Sequence, residues 1–388
     1  MQVSTFARFS VRWGSKRNCI LRSKRRCLHF LRRSRVVHYS ELFLSAGRCE
    51  IPSSTAVVPL PEARARPESK RRARLKVGTR GAQRVEQSGQ REIAHTPVLL
   101  KEVTSFLVSQ RDTCIVDVTV GLGGHAEALL QADMTLELLG IDRDEEALSV
   151  ARERLAPFGK RVRLVHGTFR ELPQLLQQAG WEYVDGIFAD LGVSSLQLDR
   201  GARGMSFRLD APLDMRMDQH HGMTAAEWLA SATEEEMADV FWQLGEERSS
   251  RRIARHLVRR RGLKPFETTT DLAHEVASAV GQATHRRQRI HPATRVFQAL
   301  RIFLNDELGE LAALLETAPK LLRPRGHMVV ISYHSLEDRL VKRCFRSLDR
   351  CGFQLPVRRV VRPSDEEVVE NPRARSAKLR VLERGDVR

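Results

Sequence analysis

The chain has 388 residues, of which 41% are hydrophobic and 29% are charged, and its formal net charge is +17. This composition excludes a wholly disordered protein and provides enough apolar material for one large domain or several smaller ones. Six cysteines without a C-x-x-C pair exclude a disulfide scaffold and a zinc ribbon, and no apolar run approaches the ~18 residues of a membrane span. We therefore expect a soluble protein of a reducing compartment with no membrane partner, and the positive charge favours nucleic acid as a partner.

Almost all of the surplus charge lies in an N-terminal extension, residues 1–94. This extension has 22 Lys and Arg against 6 Asp and Glu, whereas the remainder of the chain is nearly neutral at +1. Ile20–Leu31 could form a basic amphipathic helix, and the Pro-, Arg- and Gly-rich stretch Pro59–Arg91 predicts disorder. Three interpretations remain open: an organellar transit peptide, a flexible arm that binds RNA phosphates, or translated sequence upstream of the true start with no function.

Four short apolar runs follow the extension at regular spacing. They are Cys114–Val120, Leu136–Asp142, Arg161–Gly167 and Val184–Leu191. Their first residues lie 22 to 25 positions apart, and the segments between them have helical spacing, which is typical of βαβ units. The pattern predicts a parallel sheet that is covered by helices on both faces.

The strand pattern stops after Leu191, and the segment from about residue 200 to 290 predicts a polar loop followed by helices, with no buried strand. The expected helices are Thr224–Leu229, Glu234–Leu244, Ser249–Arg261 and Thr270–Val280. A single long helix is expected from Pro292 until Pro324 and Gly326. A strand at His327–Tyr333, a helix at Leu336–Leu348 and a closing strand at Leu379–Leu382 complete the expected order.

These elements predict an α/β, Rossmann-like sheet domain that is interrupted by a helical insertion. The expected division is an extension at residues 1–94, a first part of the sheet domain at 95–199, an inserted helical substrate-recognition domain at 200–290 and a second part of the sheet domain at 291–388.

A glycine-rich turn follows the first predicted strand, in Asp117-Val-Thr-Val-Gly121-Leu-Gly123-Gly124-His125-Ala126. Glycines at such a turn let a ligand approach the backbone, and the helix that follows offers free N–H groups. Gly121-x-Gly123-x-x-Ala126, with Asp142 21 residues past Gly121, fits the dinucleotide fingerprint. The same turn fits the D-x-x-x-G-x-G form of S-adenosylmethionine sites, so the turn leaves both cofactor classes open.

Longer segments distinguish the two classes. They are His95-Thr-Pro-Val-Leu-Leu-Lys-Glu-Val, Asp190-Leu-Gly-Val-Ser-Ser-Leu-Gln197, Arg203-Gly-Met-Ser-Phe207, His291-Pro-Ala-Thr-Arg-Val-Phe-Gln-Ala-Leu-Arg, Ile331-Ser-Tyr-His-Ser-Leu-Glu-Asp-Arg339 and Asn371-Pro-Arg-Ala-Arg-Ser-Ala-Lys. Together with Gly123-Gly124-His125 they resemble the ribosomal RNA small subunit methyltransferase H family, also called MraW, from His95 to Arg384. The chain departs from the family pattern at Leu196, where Pro is usual, and at Met205, where Phe is usual.

The resemblance implies a class I methyltransferase fold and transfer of a methyl group from S-adenosylmethionine to the exocyclic N4 of one cytosine in the decoding region of small-subunit ribosomal RNA. By matching motif it implies a set of cofactor-binding residues: Gly123, Gly124, His125, Asp142, Phe169, Asp190 and Gln197. A carboxylate such as Asp142 suits the two ribose hydroxyls, and a ring such as Phe169 can lie against adenine.

Asp190 is also the candidate hydrogen-bond acceptor for the cytosine N4–H group, with Ser194 and Ser195 as lesser candidates. Its alternative role is to contact the cofactor only. An acceptor would help the conjugated amine to pyramidalise and then to lose a proton, while positioning supplies the rest of catalysis. His334 is interpreted as structural, and the histidines lack metal-ligand spacing, so no metal is expected.

The predicted helix Ser249–Arg261 carries five outward arginines that are candidates for RNA binding: Arg251, Arg252, Arg255, Arg259 and Arg260. The alternative is an ordinary solvated helix face. Two other functions compete with the methyltransferase: a nicotinamide-dependent Rossmann oxidoreductase and a non-catalytic RNA-binding ribosome-assembly factor. The expected location is a bacterial cytoplasm, with the mitochondrial matrix as the alternative if the extension is a transit peptide.

Overall fold

The computed structural model describes residues 97–108, 113–199, 201–281 and 290–386. The expected amphipathic helix and disordered stretch of the extension, and His95, lie outside these ranges. Within them, no helix combines the length and the apolar character needed to cross a bilayer.

Seven strands form one sheet in the order β3-β2-β1-β4-β5-β7-β6. The strands are β1 (Cys114–Asp117), β2 (Glu137–Asp142), β3 (Val162–His166), β4 (Val184–Asp190), β5 (Leu322–Ser332), β6 (Phe353–Gln354) and β7 (Lys378–Arg384). The neighbours from β3 through β5 pair in parallel, while β7 runs antiparallel to both β5 and β6. The expected parallel sheet is confirmed, although β1 ends at Asp117 rather than Val120 because the glycine turn begins there.

Thirteen α-helices are present in the described ranges. They are α1 (Leu100–Leu107), α2 (Gly124–Ala132), α3 (Glu145–Leu155), α4 (Leu172–Ala179), α5 (Ser195–Asp199), α6 (Ala225–Ser231), α7 (Glu234–Gln243), α8 (Ser250–Arg261), α9 (Thr269–Val280), α10 (Ala293–Leu304), α11 (Glu307–Thr317), α12 (Ser335–Leu348) and α13 (Asp365–Glu370). The four helices expected between residues 200 and 290 are present as α6 to α9, with bounds shifted by no more than two residues.

Helices cover both faces of the sheet. Helices α1, α2 and α3 pack on one face, and α4, α11 and α12 pack on the other. Successive side chains of a strand point to opposite faces, so Phe188 of β4 enters the first cluster while Ile187 and Ala189 enter the second. Burial on both faces explains why this strand is a continuous apolar run in the sequence.

A separate apolar cluster joins helices α6 to α10. Phe241, Ile253 and Leu257 lie at its centre and are fully buried. Helix α10, which the sequence pattern assigns to the second part of the sheet domain, contributes Val296 and Leu300 to this cluster. The insertion therefore shares its core with the segment through which the chain returns to the sheet.

The single long helix expected from Pro292 is wrong, because the chain forms two helices there. Asp306 adopts a left-handed conformation (φ 48°) between α10 and α11. The neighbouring Asn305 bridges to another loop: its Oδ1 accepts from the Met217 N–H at 2.7 Å, and its Nδ2 donates to the Met215 carbonyl at 2.9 Å. Helix α11 also ends at Thr317, well before Pro324, and a 3₁₀ turn leads directly into β5. Long-range hydrogen bonds, rather than a helix-breaking residue, divide this apolar stretch.

Candidate active site

A cleft of about 1300 Å³ opens at the carboxyl ends of the central strands. Its walls come from the turn after β1, the ends of β2 and β4, the segment after β5 and the loop at residues 205–209. Ligands of open α/β sheets bind at this edge, where the strand order reverses between β1 and β4. The sheet thus brings together side chains that are far apart in the sequence.

The glycine turn forms one wall of the cleft. Gly121 (φ 52°) and Gly123 (φ 81°) occupy the left-handed region that glycine tolerates best. Gly124 begins α2 and lines the cleft, but Gly123 does not line it. A Cβ atom on Gly123 would lie 3.2 Å from Leu155 Cδ1, so this glycine allows α3 to pack closely behind the turn.

Asp142 stands at the end of β2, as expected. Its Oδ2 accepts from the Gly121 N–H at 2.8 Å and its Oδ1 from the Asp144 N–H at 2.9 Å. Burial raises the pKa of Asp142 to about 6, and the two N–H donors oppose that rise. The carboxylate lines the cleft and is held in place by its own backbone neighbours, as a ribose-binding acid requires.

Asp190 stands at the end of β4 and is joined to a residue for which the sequence motif supplied no role. Its Oδ1 accepts a hydrogen bond of 2.8 Å from the Tyr333 hydroxyl, just beyond β5. Its backbone N–H donates to Thr119 Oγ1 at 2.6 Å. Burial raises the pKa of Asp190 to about 7, the Tyr333 hydrogen bond opposes the rise, and the nearby Glu337 charge adds to it.

Asp117 ends β1, the strand between β2 and β4, and is 1% exposed. Its Oδ1 accepts from the Thr119 N–H at 3.0 Å, while its Oδ2 has no hydrogen-bond partner within the described ranges. Burial raises the pKa of Asp117 to about 8, and the charges of Asp190 and Asp142 add to the effect. A neutral carboxyl group at this point limits the repulsion among the three acids.

His125 is buried against the sheet. Its Nε2 lies 2.9 Å from the Val98 carbonyl oxygen, so Nε2 carries the proton and donates. The ring packs on Phe188 with centroids 4.7 Å apart, and Nδ1 lies 3.9 Å from Asp190 Oδ2. His125 lines the cleft and fixes the wall beside Asp190.

Phe169 and Gln197 also line the cleft. Phe169 projects from a 3₁₀ turn after β3 and packs partly on the core. The amide of Gln197 is already engaged: its Nε2 donates to Asp144 Oδ2 at 2.8 Å, and its Oε1 accepts from the Ser194 N–H at 3.1 Å. Asp144 also forms a buried ion pair with Arg203 of the insertion. Gln197 thus contributes to the wall by joining the loop after β4 to the start of α3.

His334 begins α12 as its N-cap, which agrees with the structural interpretation of this residue. Its Nε2 lies 3.1 Å from Glu337 Oε1, and this contact holds the pKa of Glu337 below its ordinary value although burial opposes that. Glu307 lies close enough to complete a three-residue group that could hold a metal ion. However, Arg301 donates two hydrogen bonds to Glu307, of 2.7 and 3.0 Å, so both carboxylates already have cationic or histidine partners. The expectation of no metal stays a prediction.

The five candidate arginines of α8 do not line the cleft. Arg252 donates to the Val280 carbonyl, Arg255 to Glu234 at 3.2 Å, and Arg260 to Glu275 at 3.1 Å. Arg251, Arg252, Arg255 and Arg259 are exposed, and in the described ranges Arg251 and Arg259 form no side-chain hydrogen bond or ion pair. Three of the five therefore take part in contacts within the insertion, and their binding of RNA stays a prediction.

The sheet, its glycine turn and the acid at the end of β2 define an enzyme that binds a nucleoside-containing cofactor. The position of antiparallel β7 between β5 and β6 differs from the 3-2-1-4-5-6 order of dinucleotide-binding dehydrogenases. Residues 92–385 match the MraW methylase family, and the chain belongs to that family. It is therefore an S-adenosylmethionine-dependent methyltransferase with a class I, Rossmann-like fold, and the nicotinamide-dependent alternative is wrong.

Two bacterial relatives agree with this assignment. The chain is 48% identical over 290 residues to the ribosomal RNA small subunit methyltransferase H of Sorangium cellulosum, covering 75% of this chain and 90% of the relative. It is 49% identical to the protein of the same name from Gloeobacter violaceus, covering 75% and 88% of the two chains. Among solved structures, a putative rRNA methylase from Clostridium thermocellum aligns with a TM-score of 0.36 at 11% identity, covering 74% of this chain and 94% of that one.

The residues of the cleft fit the cofactor. Asp142 offers a fixed carboxylate for the ribose hydroxyls, Gly124 brings backbone to the cleft surface at the start of α2, and Phe169 offers an apolar face on the same side. Tyr333 is the main residue that residue-by-residue reasoning missed. It lies in the quoted Ile331–Arg339 segment, but a hydroxyl 143 positions from Asp190 is brought to that acid only by the pairing of β4 with β5.

Proposed function

We propose that this methyltransferase modifies the exocyclic N4 of one cytosine in the decoding region of small-subunit ribosomal RNA. The names of the bacterial relatives support ribosomal RNA as the substrate. The observation that carries the N4 assignment is the pairing of Asp190 with Tyr333 at the edge of the cleft. This pairing directs a carboxylate with a pKa of about 7 to the place where an amine substrate must be deprotonated.

The residues of the cleft have to align two reactants. When bound, S-adenosylmethionine supplies an activated methyl group with a neutral leaving group. Asp142 and Phe169 hold the nucleoside end of the cofactor, and Gly124 leaves room for its methionine portion at the start of α2. Gly123, His125 and Gln197 keep this wall in place through their contacts with Leu155, Val98 and Asp144. Holding the reacting atoms in line contributes several kcal/mol to catalysis.

Asp190 acts on the base. Its Oδ1 is occupied by the Tyr333 hydroxyl, and Oδ2 remains to accept a hydrogen bond from the N4–H group. This bond draws electron density toward the nitrogen lone pair and gives the departing proton an acceptor as the N–C bond forms. The cytosine has to leave its stack to reach the carboxylate, so the RNA must open locally around the target.

The outer surface supports a second layer of RNA contacts. Arg251 and Arg259 of α8 are exposed, and they are the members of the predicted set best placed to bind backbone phosphates. Arg252, Arg255 and Arg260 orient the helix through their contacts with neighbouring elements of the insertion. For the basic extension, residues 1–94, the same three interpretations stand: further RNA affinity, an organellar address, or upstream sequence with no function. The proposed location is the cytoplasm or, for an organellar address, the mitochondrial matrix.

The test uses the full-length protein, labelled S-adenosylmethionine and small-subunit particles that lack the modification. Mass spectrometry of the digested RNA should place the label in N4-methylcytidine. Asp190→Asn should lower kcat by about 100-fold or more while the Kd for the cofactor changes little. Label at another position would contradict the proposed substrate, and a near-normal kcat for Asp190→Asn would contradict the role of Asp190. RNA binding without any transfer would support the assembly-factor alternative.

A further inference from the structure

The mouth of the cleft carries exposed arginines that the proposed chemistry does not use, and two of them stand on different parts of the fold. Arg208 belongs to the loop at residues 205–209, and Arg375 belongs to the 3₁₀ turn Pro372–Ser376. Both line the cleft. We infer that Arg208 and Arg375 form a two-sided phosphate clamp that holds the RNA backbone next to the target base, an inference that rests on the proposed RNA substrate.

The two arginines differ from the other cationic groups of the cleft. Arg143 donates to the Asn305 carbonyl at 2.8 Å, and Arg301 is held by Glu307. Arg373, which is exposed and also lines the cleft, has an interaction partner of its own. In the part of the chain that the structure describes, Arg208 and Arg375 have no ion pair or side-chain hydrogen bond, and both side chains are exposed. A guanidinium that is not neutralised by a neighbouring acid is available for bidentate contact with a phosphate.

Arg208 is presented by an anchored loop. Leu209 O accepts from the Thr269 hydroxyl at 2.8 Å, and the Thr269 N–H donates to the Ala211 carbonyl at 2.9 Å. The one acid close to Arg208 in sequence, Asp210, accepts from the Thr270 hydroxyl at the start of α9. These bonds tie the loop to the insertion, so Arg208 is positioned by the helical cluster.

Arg375 is presented by the opposite body of the fold. Ala374 and Ala377, on either side of it, are fully buried in the cluster of α1, α2 and α3. The turn is closed by the Ala377 N–H, which donates to the Ala374 carbonyl at 2.8 Å. Glu370 is an exposed acid on the same rim, but it lies at the end of α13, before the turn. One arginine is thus supported by the insertion and the other by the sheet domain.

This arrangement suits a single-stranded segment that enters a cleft. Phosphate contacts fix the register of a nucleic acid without reading its sequence, and a base between two held phosphates can be turned inward. Phe207 lies next to Arg208 and lines the cleft, with its ring on Phe297 at 4.9 Å, so a firm aromatic surface accompanies the charge. The clamp therefore holds the target strand, while Asp190 meets the base.

Charge reversal in the full-length protein tests the clamp. Arg208→Glu and Arg375→Glu should each raise the KM for unmodified small-subunit particles by about tenfold, with kcat at saturating RNA and the Kd for S-adenosylmethionine nearly unchanged. The slope of log KM against log salt should become shallower by about 0.7 to 0.9 for each lost contact. Arg208→Lys and Arg375→Lys should restore the salt slope, because a lysine keeps the charge, but only part of the KM, because a lysine cannot make the bidentate contact.

Arg343→Glu is the matched control. Arg343 is an exposed arginine of α12 that does not line the cleft, so its reversal should leave the KM and the salt slope unchanged. The inference is overturned if Arg208→Glu and Arg375→Glu both leave KM within twofold of the wild-type value. If a charge-reversal variant fails to fold, Arg208→Gln and Arg375→Gln are measured in its place. If the wild-type protein labels another nucleotide but the reversals still raise KM, the proposed target is wrong and the clamp stands.

Discussion

The Tyr333 hydroxyl donates a 2.8 Å hydrogen bond to Oδ1 of Asp190, across the ends of the neighbouring strands β4 and β5. Burial and the adjacent carboxylate raise the pKa of Tyr333 well above its ordinary value, so the phenol keeps its proton and acts as a donor. The bond stabilises the charged form of Asp190 and opposes the effect of burial on that acid. Tyr333 is thus a positioning residue that also influences the pH above which Asp190 is charged.

Tyr333→Phe should shift the pH profile of methylation. Losing a hydrogen bond to a charged group removes about 1.5 to 3 kcal/mol, which corresponds to a rise of roughly one to two pH units in the pKa of Asp190. Activity at pH 7 should therefore fall and recover in more alkaline buffer, whereas wild-type activity should rise through a pKa of about 7. Tyr183→Phe, at a 41% exposed tyrosine away from the cleft, is the control. An unshifted profile for Tyr333→Phe would show that the hydroxyl does not tune Asp190.

Asp117→Asn should change how stability depends on pH. The folded-state pKa of Asp117 is about 8, above the ordinary value of 3.8, so the folded chain keeps a proton that the unfolded chain releases. The stability that this group contributes is therefore full below pH 4 and is lost as the pH rises toward 8. An asparagine at this position cannot titrate, so the variant lacks this pH dependence. Its free energy of unfolding should therefore rise relative to that of the wild type by roughly 1 kcal/mol per pH unit between pH 5 and 7. Thermal unfolding at several pH values measures this, and a constant difference between the two proteins would contradict it.

Arg203→Met should destabilise the fold strongly. Arg203 and Asp144 are 3% and 2% exposed. Within the described ranges, the substitution leaves the buried Asp144 charge with only the Gln197 amide and the Glu146 N–H as donors. Breaking a buried pair from one side costs about 3 to 5 kcal/mol. Urea unfolding should show this loss, and adding Asp144→Asn should restore part of it. The exposed pair Arg152–Glu145 is the matched control, and Arg152→Met should cost about 1 kcal/mol or less. Equal losses at the two sites would refute the buried pair's role.

Gly123→Ala should weaken cofactor binding as well as stability. Gly123 has φ 81°, and a Cβ there would lie 3.2 Å from Leu155 Cδ1, so either the turn or α3 has to move. The left-handed backbone alone costs about 1 to 2 kcal/mol for a non-glycine residue. Gly159→Ala provides the comparison, because Gly159 (φ 57°) has no atom within 4 Å of its Cβ position in the described ranges. Calorimetry should show a raised Kd for S-adenosylmethionine in Gly123→Ala only; an equal Kd in both variants would exclude a role for the close packing.

The sequence by itself determined the elements that rest on local pattern. Apolar runs buried on both faces identified β1 to β4, helical spacing identified α6 to α9, and the glycine turn with Asp142 marked the cofactor edge. The +17 charge pointed to nucleic acid mainly through the extension, whereas the cleft itself is lined by only a few arginines. These features were accessible because each depends on a local pattern, on composition or, for Asp142, on a fixed spacing along the chain.

Only the tertiary structure decided the features that depend on contacts between residues far apart in the sequence. Asn305 divides an apolar stretch into α10 and α11 by bonding to the loop at Met215 and Met217, and no local signal marks that break. Arg255 and Arg260 form hydrogen bonds with acids of α7 and α9. The helical pattern of the sequence predicts only that both side chains face outward. Parallel pairing of β4 with β5 brings Tyr333 to Asp190 across 143 positions. A side chain's partner is set by which elements pack together, and that packing is a property of the whole fold rather than of any one segment.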